Sequence, residues 1–101
     1  MGGKGKKGTK DGVRGRVAGH YRLKMADLLW AGRAREVARP RQVAMYLAKK
    51  LTARSLPEIG RRFGGRDHTT VMHAVKRIEE WRASDREIDA DVVHLTRLLD
   101  A

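Results

Sequence analysis

Apolar positions recur at helical spacing along almost the whole chain, and no stretch alternates with the period of a strand. Val13, Val17 and Tyr21 stand at i, i+4 and i+8 and predict a short helix over 13–21, which Gly15 and Gly19 weaken. Leu23 and residues 25–30 predict a second short helix anchored by Leu28 and Leu29. Residues 31–38, AGRAREVA, read as a basic loop. Pro40 then suits the first turn of a long helix, where its missing N–H costs nothing. The stripe Val43, Ala44, Leu47, Ala48 and Leu51 carries that helix to about Ala53.

The next segment is the best punctuated. Ser55-Leu-Pro-Glu58 has the form of a capping box, with Ser at the N-cap, Glu three residues on and Pro in the first turn. Leu56, Ile59 and Phe63 give its apolar face, and Gly64-Gly65 supplies a stop where a positive φ is cheap. Asp67 then caps a helix running to about Arg82. At about 100° per residue, Val71, Ala74, Val75 and Ile78 share one side of it. Thr69, His73, Lys76 and Glu80 share the other, flanked by Thr70 and Arg77. Ser84 and Glu87 suggest another capping box, and Ile88, Val92, Leu95 and Leu99 mark a terminal amphipathic helix. The expected fold class is all-α, a small bundle of about six helices containing a helix-turn-helix. The domain is placed at 13–101, behind a Gly/Lys-rich segment, 1–12, expected to be disordered. That segment reads either as a basic arm touching phosphates or as a linker.

Charge sharpens this picture. Of the net +11, residues 1–42 carry +9, residues 43–82 carry +5 and residues 83–101 carry −3. A basic front and middle suit a polyanion, although a merely solvated surface fits the charge equally well. The helix-turn-helix tips the balance, because such a pair presents the start of its second helix to the major groove. Asp67, His68 and Thr69 are short donors and acceptors at that start, and base edges offer matching partners.

Other chemistries find little support. The chain has no Cys, which removes disulfides and thiolate metal sites. His68 and His73 are five apart and share no helix face, and His20 and His94 are distant in sequence, so no metal site is expected. The segment 3–9, GKGKKGT, lacks the Gly-Lys-Ser/Thr ending of a phosphate loop, so neither nucleotide nor other cofactor is expected. No nucleophile–base pair stands out, and a non-enzymatic module is expected. Asp85, Glu87, Asp89 and Asp91 suit the start of a helix through its dipole. Trp30 and Trp81 read as packing residues rather than base-stacking platforms. No apolar run approaches a membrane span, and a cytoplasmic, nucleoid-associated protein is the expectation.

Residues 37–80 resemble the signature region of the C-terminal DNA-binding domain of the bacterial DnaA replication initiators. The resemblance rests on the blocks ARPRQ, SLPEIG and FGGRDHTTV, and extends more weakly back to Val17 and forward to Leu99. It implies a Trp-repressor-like helix-turn-helix fold and binding to the DnaA box, a short asymmetric duplex site, with one monomer per site. Carried over by motif position, Asp67, His68 and Thr69 would touch bases in the major groove, with an apolar contact from Pro57. Arg33 would enter the minor groove. Arg35, Gln42, Lys49, Thr70, His73 and Arg77, with the backbone N–H of Leu56, would hold phosphates. The family's ATPase module has no counterpart in these residues. A role in replication initiation or its regulation is implied. A stand-alone transcriptional regulator, or a non-specific nucleic-acid binder using the basic tail, remains open beside it.

Overall fold

A computed structural model describes residues 10–29 and 35–100 of the chain. Among the described residues six helices make up the regular structure: α1 (Lys10–His20), α2 (Met25–Leu29), α3 (Arg35–Leu51), α4 (Leu56–Arg62), α5 (His68–Ser84) and α6 (Arg86–Asp100). Among the described residues there is no strand, and no helix is long and apolar enough to cross a membrane.

The middle of α3 is buried on every side, from Val43 through Ala48. Such a helix has no solvent face to spare and must lie at the centre; α1, α2, α4, α5 and α6 all pack on it. The predicted stripe is therefore too narrow, since Met45 and Tyr46 are buried as well. Around α3 the core collects Val13 and Val17, Leu28, Ile59 and Phe63, Val71 and Ile78, then Ile88 and Leu95. These are the apolar positions that helical spacing selects, and burying each branched side chain contributes roughly 1.5–3 kcal/mol before entropy is counted.

Three boundaries differ from expectation. α1 begins at Lys10, so residues 10–12 are helical; residues 1–9 of the expected arm lie outside the described residues. α3 begins at Arg35, so residues 35–38 of the expected loop 31–38 are helical while 31–34 lie outside the described residues, and Pro40 sits inside the helix rather than in its first turn. Pro40 offers no N–H to the carbonyl four residues back, a loss of about 3 kcal/mol in a helix interior. Burial of Val37 and Pro40 on the side that continues through Ala44 and Ala48 offsets it. Finally, Asp85 rather than Ser84 caps α6: its Oδ1 accepts from the N–H groups of Glu87 (3.0 Å) and Ile88 (3.2 Å). The same residue closes α5 by donating its N–H to the Trp81 carbonyl at 2.6 Å.

The end of α1 has its own logic. Leu23 N–H returns to Ala18 O and Arg22 N–H to Gly19 O, the pairing of a Schellman motif. That motif needs a left-handed residue, and Arg22 takes it at φ 59°.

Candidate nucleic-acid interface

The interface is built on α4, its turn and α5. Ser55 caps α4, its Oγ accepting from Glu58 N–H at 3.3 Å. Only half of the capping box forms, because the Glu58 carboxylate is taken by Arg54 and by Arg62. Those guanidiniums, Arg62 foremost, hold Glu58 below the usual carboxylate range. The turn is tight. Arg66 N–H bonds to Gly60 O at 2.9 Å, and Gly64 and Gly65 sit at φ 88° and 79°. A Cβ on Gly60 would lie 2.0 Å from Arg66 O, and one on Gly64 would lie 2.0 Å from Leu29 O. Glycine therefore permits two close approaches: the turn onto α4, and the end of α2 onto the turn.

The turn delivers Asp67 as the cap of α5. Its Oδ1 accepts from Thr70 N–H at 3.0 Å and from the Thr70 hydroxyl at 3.1 Å. The Thr70 N–H is the leading reason that the Asp67 carboxyl is held below its ordinary value and stays charged. Val71, Ala74 and Ile78 bury the inner face of α5, with Val75 half-buried. Asp67, His68, Thr69, Thr70, His73, Lys76 and Arg77 remain exposed on the other side. The angular division expected from sequence is the one observed.

Beside this face a cleft of about 310 Å³ opens between α3 and α5, lined by Arg41, Gln42, Arg66, Thr70, His73 and Arg77. It gathers four of the sequence-selected phosphate residues. Pro57 stands exposed in the first turn of α4, Leu56 opens that helix with its N–H outside the intrahelical ladder, and Lys49 is exposed near the end of α3. Arg35 is the first residue of α3, whereas Arg33 lies outside the described residues.

Sequence reasoning missed Arg41 and Arg66. Arg41 is only 8% exposed and donates from Nε to Leu28 O and from Nη2 to Asp27 O, both at 3.1 Å. Burial, and then the nearby Arg66 charge, lower its proton affinity; burial lowers that of Arg66. Two partly desolvated guanidiniums beside the start of α5 make a positive field where an anion would sit. Position alone gave some signal for Arg66, the residue just before a helix cap. Nothing in the sequence marks Arg41 as buried.

His20 and His94, distant in sequence, meet with ring centroids 5.3 Å apart. His20 Nε2 lies 2.8 Å from Asp91 Oδ1, and Tyr21 donates its hydroxyl to Asp91 Oδ2 at 2.8 Å. No metal-type cluster of three donors occurs among the described residues. This group ties α1 to α6, away from the interface.

The family model for the bacterial DnaA protein helix-turn-helix matches residues 11–78. The chain belongs to that family. It is 62% identical over 91 residues to the chromosomal replication initiator protein DnaA of Caulobacter vibrioides, covering 90% of this chain and 19% of that protein. The protein of the same name from Zymomonas mobilis is 58% identical over 89 residues, covering 88% and 18%. That from Cereibacter sphaeroides is 56% identical over 96 residues, covering 95% and 21%. The chain thus spans about a fifth of the length of these DnaA relatives.

Proposed function

We propose that this chain is a DNA-binding module that reads DnaA-box-like duplex sites, in replication initiation or its regulation. The observation that carries the reading is the start of α5, where exposed Asp67, His68 and Thr69 stand beside the cationic cleft of Arg41, Gln42, Arg66, Thr70, His73 and Arg77. In this division of labour, phosphate contacts set the register and base contacts specify. Asp67, His68 and Thr69 read base edges, and Pro57 packs on a base in the same groove. Arg33 reads the adjacent minor groove. Arg35, Gln42, Lys49, Thr70, His73, Arg77 and the Leu56 N–H hold the backbone.

The relatives are named chromosomal replication initiators, which favours replication over other uses of a box. The module works as one monomer per asymmetric site, needs no nucleotide of its own, and acts on the nucleoid in the cytoplasm. The test is a competition titration at about 150 mM salt. Labelled box duplex is displaced by unlabelled box or by scrambled duplex. A preference of about 10³-fold or more is expected for specific readout. Equal competition with a steep salt dependence would replace this reading with non-specific binding.

A further inference from the structure

A second cleft, of about 720 Å³, continues the first along α3 and α5 and is lined by Ala38, Arg39, Gln42, Arg77 and Trp81. The two share Ala38, Gln42 and Arg77, so they form one groove between the helices. Trp81, one turn beyond Arg77, is half-buried at its far end. The Arg39 guanidinium carbon stands 4.6 Å from the Trp81 ring centroid and that of Arg77 stands 5.6 Å away, both within cation–π reach. Two guanidiniums are thereby held over one indole. Two like charges beside one ring favour an anion nearby. Among the described residues Asp85 pairs with Arg39, its Oδ2 3.5 Å away, and its other oxygen is already committed to the cap of α6.

Helical phase points the same way. Positions 35, 39, 42 and 49 of α3 fall within an arc of about 80°. Arg39 thus shares a face of α3 with Gln42, which lines both clefts. An arginine has five donors in a planar fork. The ring takes its face and Asp85 one edge, which leaves the outer edge for a phosphate. The side chain is 45% exposed, so the approach is open.

We propose that Arg39, braced on Trp81, binds a DNA backbone phosphate and extends the contact track beyond Gln42 and Arg77. This rests on the DNA-binding reading above. The test uses the whole chain and a duplex holding a box with flanking base pairs, in which one phosphate at a time is replaced by an uncharged methylphosphonate. For the wild type, neutralising the phosphate bound by Arg39 is expected to weaken binding roughly tenfold. Arg39→Gln should be insensitive at that phosphate alone, and Arg39→Lys should regain part of the response. The salt slope, read on box and scrambled duplex alike, should fall by about 0.9 in Arg39→Gln. Circular dichroism checks the fold, and Arg39→Met, which keeps the apolar stem, replaces the glutamine variant if that one unfolds. Equal responses of wild type and variant at every phosphate, with an unchanged slope, would overturn the proposal. Lack of box preference together with an Arg39-dependent slope would sink sequence reading and leave this contact standing.

Discussion

Gly60→Ala isolates the close approach that shapes the turn. In an ordinary helix this change stabilises, by up to about 1 kcal/mol. Here the new Cβ would stand 2.0 Å from Arg66 O, 2.9 Å from Arg66 C and 3.3 Å from Asp67 O, where real Cβ contacts essentially never fall below 3.0 Å. The obstacle is backbone and cannot swing aside, so the turn must retreat by about 1 Å. That displacement strains the Arg66 N–H bond to Gly60 O, now 2.9 Å. Overpacking costs about 1–3 kcal/mol and a lost internal hydrogen bond about 1 kcal/mol. After the propensity gain, a net loss of about 1–3 kcal/mol remains, or roughly 5–20 °C in melting temperature for a domain of this size. Because Arg66 leads directly into Asp67, His68 and Thr69, box preference should fall at least tenfold even in the folded fraction. Thermal melting by circular dichroism and the competition titration read the two effects. A melting temperature at or above wild type, with unchanged preference, would refute the geometry of this turn.

The companion substitution Gly19→Ala should do the opposite, because a Cβ there meets nothing within 4 Å; a gain of about 0.5–1 kcal/mol should appear in urea unfolding. Tyr21 supplies a pH signature. Burial first, and the Asp91 hydrogen bond second, raise its phenol well above the ordinary 10.0. Its contribution is therefore fully present below pH 10 and is lost as pH rises from there toward the folded-state value. Melting temperatures taken from pH 8 to 11 should fall, and Tyr21→Phe should flatten the decline. Thr69→Ala should lose about 1–3 kcal/mol of discrimination at particular base pairs, seen by titrating single-substitution duplexes. Lys49→Ala should weaken all duplexes alike and reduce the salt slope by about one unit; a change in base preference would contradict its phosphate role.

Much of the fold was legible because burial follows period. Val71, Ala74 and Ile78, or Ile88, Val92, Leu95 and Leu99, repeat at helical spacing, and their caps are local chemistry. The failures share a cause: a local preference was overruled by packing at a distance. Pro40 favours a first turn, yet burial of Val37 behind it extends α3 backward. Ser84 and Asp85 both cap well, and the choice fell to Asp85, whose carboxylate also faces Arg39 of α3. The same holds at the interface. Asp67, His68, Thr69 and His73 could be selected from helix phase and resemblance. Arg41 could not, because its burial depends on the end of α2, thirteen residues away, supplying carbonyls to its guanidinium.

The distribution of acidic residues gives the domain a polarity with a mechanical origin. The segment 83–101 is the one with net negative charge, and α6 carries it. Carboxylates of this segment reach the neighbouring helices: Asp91 of α6 holds His20 and Tyr21 at the end of α1, Asp89 of α6 holds Arg82 of α5 at 2.6 Å, and Asp85, the cap before α6, faces Arg39 of α3. Negative charge is thus spent on bracing three helices. Arg41, Arg66 and Arg77 line their cleft on the side where α3 meets the start of α5. The guanidiniums lining that cleft favour the approach of a polyanion from this side. The brace at Asp89 is also mechanically upstream of that groove. Arg82 donates both to Asp89 and to the Tyr46 hydroxyl at 3.0 Å, which fixes the far end of α5 against the middle of α3. The helix that carries the proposed reading residues at its start is therefore held at its other end by the acidic helix.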